Sequence, residues 1–322
     1  MPAEKYLEFE KPIVEIKKKI GELKALSAEG KINADAEIKT LEAKMEVLKQ
    51  DIYKNLSSWQ TVQIMRHLGR PKMLDFVGLM CTDFQELHGD RQFKDDKAMV
   101  GGMARIDGIP VMLIGLQKGK DTKENLLRNF GMAQPEGYRK ALRLMKTAEK
   151  FNLPIITFID TSGAYPGLEG EERGVAEAIA RNLHEMARIK VPIIVCVIGE
   201  GGSGGALGVG VGDRILMLKY ATYSVISFEG AATILWKDST KAAEAARALK
   251  PTANDLLQIK VIDEIVEEPM EGAHRDYETT AENLKAAILK NLKELMEMPA
   301  DKLLDDRYNK FRNMGFFTRG NS

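Results

Sequence analysis

The 322-residue sequence predicts an α/β protein, a largely parallel sheet covered by helices and wound as a ββα spiral, with a helical hairpin arm before it and helices after it. Three observations predict this class. Strand patterns alternate with helix patterns from about residue 100 to 266, the order that builds parallel sheets. Short strand pairs precede helical runs at 98–117 and 214–226, which favours a ββα spiral over a plain doubly wound sheet. Apolar stripes stepping by three and four frame that region on both sides.

The arm comes first. Ile13, Ile16, Ile20 and Leu23 mark one helix, and Ile38, Leu41, Met45, Leu48 and Ile52 a second, with a polar turn over Ser27–Asn33 between them. Two heptads are too few for a free-standing coiled coil, so the stripe is expected to dock on its own domain or on a second subunit. Residues 57–95 read as mostly helical, with Met73, Phe76, Val77, Met80 and Phe84 as the apolar positions. Two strands follow at Ala98–Arg105 and Val111–Gln117, joined by the tight-turn dipeptide Asp107-Gly108. The basic stretch Lys118–Met132 is too polar for core and reads either as a cradle for a carboxylate or phosphate or as a solvated loop.

Pro135 opens a helix running to about Phe151. A strand at Pro154–Asp160 enters the glycine-rich loop Thr161-Ser-Gly-Ala-Tyr-Pro-Gly167, and a helix follows over Glu171–Lys190. The apolar run Val191–Ile198 is a buried strand that ends in Gly199-Glu-Gly-Gly-Ser-Gly-Gly205, after which Ala206–Val211 can start a helix. Short strands at Arg214–Lys219 and Thr222–Ile226, helical runs at Gly230–Trp236 and Ser239–Leu249, a strand at Val261–Val266 and amphipathic helix over Tyr277–Leu304 complete the chain. The resulting divisions are an arm at 1–56, a central domain at 57–298 and a helical tail at 299–322.

Composition narrows the function classes without naming one. Lysine plus arginine balance aspartate plus glutamate at 47 each, so no global field recruits nucleic acid or an anionic membrane. No apolar stretch is long enough to span a bilayer, and the N-terminus reads as neither signal nor transit peptide. Cys81 and Cys196 lie far apart in the chain, which fits reduced thiols and a cytoplasmic location. Two distant cysteines and four histidines offer no metal-ligand spacing, so no metal site is expected.

The glycine stretch at 199–205 admits three readings. Gly199-Glu-Gly-Gly-Ser-Gly204 fits the dinucleotide fingerprint, but the next strand ends in Lys219 where an acidic residue should take the ribose. Gly201-Gly-Ser-Gly-Gly205 fits a nucleophile elbow, with Ser203 as nucleophile and Asp263 and His274 as the partners in the chain order a hydrolase needs. His274 lies in the polar stretch Glu271–Asp276, which reads as solvated surface. The third reading needs no side-chain nucleophile. Main-chain N–H groups of Gly204, Gly205 and Ala206 hold a developing oxyanion, a term whose loss costs about 3–4 kcal/mol of barrier per donor. The loop at 160–167 ends a neighbouring strand, so two glycine loops face one crevice and suit enolate chemistry on a flat carbonyl substrate.

Five segments together resemble one family. Arg128-Asn-Phe-Gly-Met132, Pro135-Glu-Gly-Tyr-Arg-Lys-Ala141, Phe158–Gly167, Val197–Leu207 and Tyr223-Ser-Val-Ile-Ser227 are similar to the α subunit of bacterial acetyl-CoA carboxylase carboxyltransferase, and the likeness covers essentially the whole chain. The resemblance implies a crotonase-like fold of the ClpP/crotonase type. It implies transfer of a carboxyl group from N1-carboxybiotin, borne on the biotin carboxyl carrier protein, to acetyl-CoA. The product is malonyl-CoA, in the first committed step of fatty acid synthesis by an ATP-dependent complex. The implied partners are a carboxyltransferase β subunit in an α2β2 heterotetramer, the carrier protein and biotin carboxylase, with zinc only on the β subunit and no cofactor bound by this chain. The family's oxyanion hole for the biotin ureido carbonyl maps onto Gly204 and Gly205, with Gly201, Gly202 and Ala206 beside them. Gly163, Ala164, Tyr165 and Gly167 become candidate substrate-binding residues. Lys118, Lys120, Lys123 and Arg128 are candidates to meet the carboxylate of carboxybiotin or the phosphates of CoA, and equally could face water or the β subunit. Two residues depart from the family pattern, Ser162 and Phe228, each where proline is usual; Ser162 loosens the first loop and Phe228 is expected beside the cleft.

Overall fold

The fold is described from a computed structural model, which covers residues 6–29 and 32–315. The centre of the predicted arm turn, Gly30-Lys31, and the end of the tail beyond Gly315 lie outside the described residues.

The arm forms as predicted, from α1 (Lys11–Ala28) and α2 (Asp35–Lys54). Their stripes meet each other at Ile20, Ala34 and Ile38. Nearer the body of the protein, Tyr53 packs edge-on against Phe9 and Tyr220 and shares a cluster with Ile13 and Ile64. Buried Glu10 accepts a hydrogen bond from the Tyr53 hydroxyl, and Lys49 pairs with Glu271 at 2.5 Å. The base of the arm is therefore glued to its own domain.

The stretch 57–95 divides differently from its reading. It holds α3 (Ser58–Met65), α4 (Met73–Met80) and a strand, β1 (Thr82–Glu86), so Phe84 belongs to an edge strand and not to a helix stripe. Strand β1 is polar and half exposed, an edge whose sequence carries no apolar alternation. It pairs antiparallel with β2 (Met99–Ile106), and β2 pairs antiparallel with β3 (Ile109–Leu116) through Asp107-Gly108. The basic stretch contains a short helix, α5 (Thr122–Leu127), capped by the Asp121 side chain. Helix α6 (Pro135–Lys150) follows, then β4 (Ile155–Thr161). The helix predicted at 171–190 is two, α7 (Leu168–Glu172) and α8 (Val175–Met186), separated by Gly174 with φ +79°.

Strand β5 (Ile193–Gly202) is wholly buried and runs directly into α9 (Ser203–Leu207), three residues earlier than the predicted helix start. Next come β6 (Arg214–Leu218), β7 (Thr222–Ser224), α10 (Phe228–Trp236), α11 (Ala242–Leu249), α12 (Ala253–Gln258), β8 (Glu264–Val266), α13 (Tyr277–Met296) and α14 (Ala300–Arg312). The strand order is β1-β2-β3-β4-β5-β6-β8, parallel from β3 onward. The expected pair at 214–226 is corrected: β6 and β7 do not pair with each other. Both run parallel to β5, β6 along Ile194–Val197 and β7 along Glu200–Gly202. The sheet forks there, and β7 leaves the main layer alongside the glycine-rich end of β5.

Two buried arginines brace this frame. Arg70 gives both terminal nitrogens to Glu268 at 2.7 Å and its Nε to the Ile198 carbonyl. Arg307, on α14, pairs with Asp213 and donates to the carbonyls of Met186, at the end of α8, and of Ile189 and Val191, in the link to β5. Removing one partner from such a pair costs about 3–5 kcal/mol, because the other charge is left buried.

Candidate functional site: two glycine turns at adjacent strand ends

The turn after β5 is shaped by what lies against it. Gly202 and Gly205 have no room for a side chain. A Cβ on Gly202 would enter the backbone of Ser162, and one on Gly205 would enter the Gly163–Ala164 peptide, with Ala164 N at 2.5 Å. The two predicted glycine loops thus touch backbone to backbone, which glycine alone permits. Gly204 differs: its Cβ would meet only Ile179 Cδ1, at 3.8 Å.

Because α9 begins at Ser203, the N–H groups of Gly204 and Gly205 precede the first intrahelical bond. Neither donates to an acceptor among the described residues, although the Gly204 carbonyl accepts from Gly208 N at 3.0 Å. Gly205 is a buried residue, and an unmet N–H there is costly unless a ligand or water takes it. The helix is held from behind. Asn182 donates to the Gly208 and Tyr138 carbonyls at 2.9 and 3.0 Å, and the Tyr138 hydroxyl reaches the Gly205 carbonyl at 3.3 Å.

Clefts open on both sides of the turn. On one side an apolar cavity of about 410 Å³ reaches Ser203 and Gly204 and is walled by Leu207, Tyr223, Leu256 and Phe311. On the other a polar cleft of about 570 Å³ is lined by Arg66, Lys72, Lys118, Ser162, Glu200 and Glu229.

The remaining predicted residues separate. Thr161 and Gly163 bond each other, and the Tyr165 N–H goes to the Ala133 carbonyl, so the first loop is anchored. The Tyr165 ring leaves no space for a Cβ on Gly167. Lys118 lines the polar cleft, but its ammonium pairs with Asp160 and Glu200. Lys120 pairs with Asp75 at 2.5 Å. Arg128 is held by Glu124 and the Lys97 carbonyl, and Lys123 is exposed. Only Lys118 of the four reaches either cleft. Phe228 borders a narrow crevice with Ser162 and Gly202, is itself 2 % exposed, and packs edge-on against Trp59. Sequence reasoning missed Glu200 and Asp160, whose roles depend on partners far off in the chain.

The hydrolase constellation does not assemble. Asp263 caps Ile215 N and pairs with Lys310. His274 is not a solvated residue. It stacks on His67 at 3.9 Å between centroids, and both its ring nitrogens are buried without a hydrogen-bond partner among the described residues. Burial, then His67, Arg275 and Arg70, push its pKa down to about 3. Ser203 is exposed, with φ +50°. No cluster of three or more His, Cys, Asp or Glu able to hold a metal occurs among the described residues.

Solved structures share this fold. A transcarboxylase 12S structure with methylmalonyl-CoA and methylmalonic acid bound superposes with a TM-score of 0.54 at 18 % identity, over 69 % of this chain and 44 % of that one. A Pseudomonas malonate decarboxylase heterotetramer in complex with coenzyme A gives 0.53 at 18 %, over 68 % and 88 %. The fold is the crotonase-like one expected from the sequence. The family model described as "Acetyl co-enzyme A carboxylase carboxyltransferase-like" matches residues 6–315. Relatives named acetyl-coenzyme A carboxylase carboxyl transferase subunit alpha include proteins from Geobacter metallireducens (58 % identical, 98 % of this chain and 99 % of that one) and Bacillus cytotoxicus (58 %, 96 % and 95 %). One from Xanthomonas campestris is 55 % identical over 97 % and 98 %. The chain belongs to the acetyl-CoA carboxylase carboxyltransferase α-subunit family.

Proposed function

We propose that this chain is the α half of a biotin-dependent carboxyltransferase that moves a carboxyl group from carrier-borne carboxybiotin to acetyl-CoA, giving malonyl-CoA for fatty acid synthesis. Family membership carries the reaction class. The observation that carries the site is that the Gly204 and Gly205 N–H groups open a helix, have no acceptor among the described residues, and sit in a turn packed backbone to backbone against the facing loop.

In this reading the Gly204 and Gly205 N–H groups hold the ureido oxygen of the biotin substrate as negative charge collects on it, with Ala206, Gly201 and Gly202 shaping the turn. Donors already in place pay no reorganisation as the charge develops. Stabilising that oxygen makes N1 a better leaving group for the carboxyl. The freed nitrogen then takes the methyl proton of acetyl-CoA, so no side-chain base is required. The apolar cavity beside Gly204 suits the thioether ring and aliphatic chain of biotin. Gly163, Ala164, Tyr165 and Gly167 form the facing lip. Lys118 stands in the wall of the opposite cleft, and Lys120, Lys123 and Arg128 are left for the rim, where CoA phosphates or the partner subunit would lie.

The thioester oxyanion needs donors of its own, and these we assign to a zinc-bearing β subunit in an α2β2 assembly. Exposed apolar side chains on α5 (Leu126, Leu127) and on α10 (Ile234, Leu235) support a partner-covered site. The carrier protein and biotin carboxylase complete the ATP-dependent complex. A cytoplasmic location fits the two free thiols and the absence, among the described residues, of any helix long and apolar enough to cross a membrane. The test is carboxyl transfer from malonyl-CoA to biocytin by this chain alone, by the partner alone and by their mixture; activity in the mixture only supports the reading, and activity of this chain alone overturns it.

A further inference from the structure

The one predicted cation that reaches a cleft is turned inward. Lys118 Nζ lies 2.9 Å from Asp160 Oδ1 and 3.1 Å from Glu200 Oε2. Lys72 Nζ approaches the other Asp160 oxygen at 3.4 Å, and Arg66 approaches Glu200 Oε1 at 3.6 Å. Arg66 is also held by Glu229 at 2.6 Å, so three cations meet three carboxylates at the wall of the polar cleft, which leaves little charge to recruit an anionic substrate.

Asp160 sits where β4 and β5 fall out of step. Ile159 faces Val197, yet Thr161 faces Gly201, so the single residue Asp160 spans the segment Ile198–Glu200. Its Oδ1 accepts the Glu200 N–H at 3.1 Å, and a Cβ on Gly199 would run into the carboxylate. The Ile198 carbonyl freed by the slip is taken by Arg70 Nε at 2.9 Å. Past the slip β5 turns from β6 to β7 and delivers Gly202 to the start of α9. Burial alone would raise the Asp160 pKa, but Lys118, Lys72 and the Glu200 N–H outweigh it and hold the carboxyl well below the usual range.

We infer that Lys118 and Asp160 are positioning residues for the glycine turn: Lys118 holds the Asp160 carboxylate in the slip, Asp160 fixes the bend of β5, and the bend aims the Gly204 and Gly205 N–H groups. The inference deepens the carboxyltransferase reading, and its kinetic arm rests on that reading, whereas amide exchange reads the turn without it. The rival role is direct contact of Lys118 with a substrate anion.

The experiment uses the full complex with Lys118→Met, Lys118→Arg, Asp160→Asn and the Lys118→Met/Asp160→Asn double variant. It measures transfer from malonyl-CoA to biocytin and hydrogen exchange in peptides covering 198–206. Expected for Lys118→Met is a fall in kcat of about tenfold or more, with both KM values within about twofold. Lys118→Arg restores at least about a third of the rate. The double variant is no slower than the worse single one, because both break the same link. Exchange at 199–206 speeds up about tenfold or more while β2 is unchanged. A KM for either substrate raised about tenfold at preserved kcat, additive losses in the double variant, or unaltered exchange at 199–206 overturns the inference. Should Asp160→Asn not fold, the Lys118 variants carry the same decision. If the wild-type complex transfers no carboxyl, the function reading falls, and the exchange data still decide the positioning.

Discussion

Gly204 and Gly205 look alike in the sequence and are not equivalent in the structure. Gly205 lies against the Gly163–Ala164 peptide, so any Cβ forces one glycine loop off the other. Gly204 has ordinary van der Waals space, and its φ is not in the left-handed region. Alanine keeps the N–H at both positions, so the contrast isolates packing from donor loss. Gly204→Ala is expected to fold with stability within about 0.5 kcal/mol of the parent. Gly205→Ala should lose about 1–3 kcal/mol, as overpacked sites do. Urea titrations of the two variants check this, and equal losses would contradict the described contact. The same scale shows what the sequence could not disclose. Lys118 reads as a free cation because its partners Asp160 and Glu200 lie 42 and 82 positions further along the chain. His274 reads as surface because its stacking partner, His67, lies on the far side of the sequence.

Elements with local signatures were legible. The apolar runs of β4 and β5 and the glycines that end them announce a buried parallel pair with backbone turns, and both turns meet in the structure. Strand β1 was not legible, since Thr82–Glu86 is a polar edge with one aromatic, and its strand character comes from pairing with β2. The fork of β6 and β7 was not legible either, because it depends on the slip at Asp160 and on Arg70 reaching Ile198. The arm divides by the same logic. Its outer half packs only helix against helix, while Tyr53, Glu10 and Lys49 tie its base to Tyr220 and Glu271. A stripe spent this way at the base leaves the outer half available to another subunit. Deleting residues 1–56 is therefore expected to lower the mass of the mixture with the proposed β partner below that of the full-length mixture in light scattering. An unchanged mass would remove the arm from assembly.

At the scale of the whole molecule, buried titratable groups make the fold sensitive to acid. The unfolded His274 ring binds a proton below about pH 6.5, whereas the folded ring, buried beside His67, Arg275 and Arg70, stays neutral down to about pH 3. The unfolded state thus holds the extra proton between those values, and stability falls as pH drops through that window. Below about pH 4 the unfolded chain also gains protons at carboxylates that the fold keeps ionised, Asp160 among them, and the loss steepens. His274→Phe keeps the ring stack and removes the titration. It should lessen the drop in unfolding free energy between pH 7 and pH 4.5 by about 1–2 kcal/mol, a figure discounted for the ring's partial exposure. Parallel curves for the two proteins would contradict the assignment.

The central claim is that this chain contributes a backbone oxyanion site, and only half of a catalytic centre. It is tested most directly by carboxyl transfer from malonyl-CoA to biocytin in mixtures with the β subunit, comparing the parent chain with Ser203→Ala and Gly205→Val. The account predicts that each chain alone is inactive and that Ser203→Ala with β stays within about twofold of the parent. Gly205→Val keeps its N–H but drives the turn off the Gly163–Ala164 peptide and so misaims the donor; it should still enter the complex but transfer about 100-fold or more slowly, a loss of the size seen when an oxyanion donor is lost. Undiminished transfer by Gly205→Val with β, or loss of activity in Ser203→Ala, would contradict it.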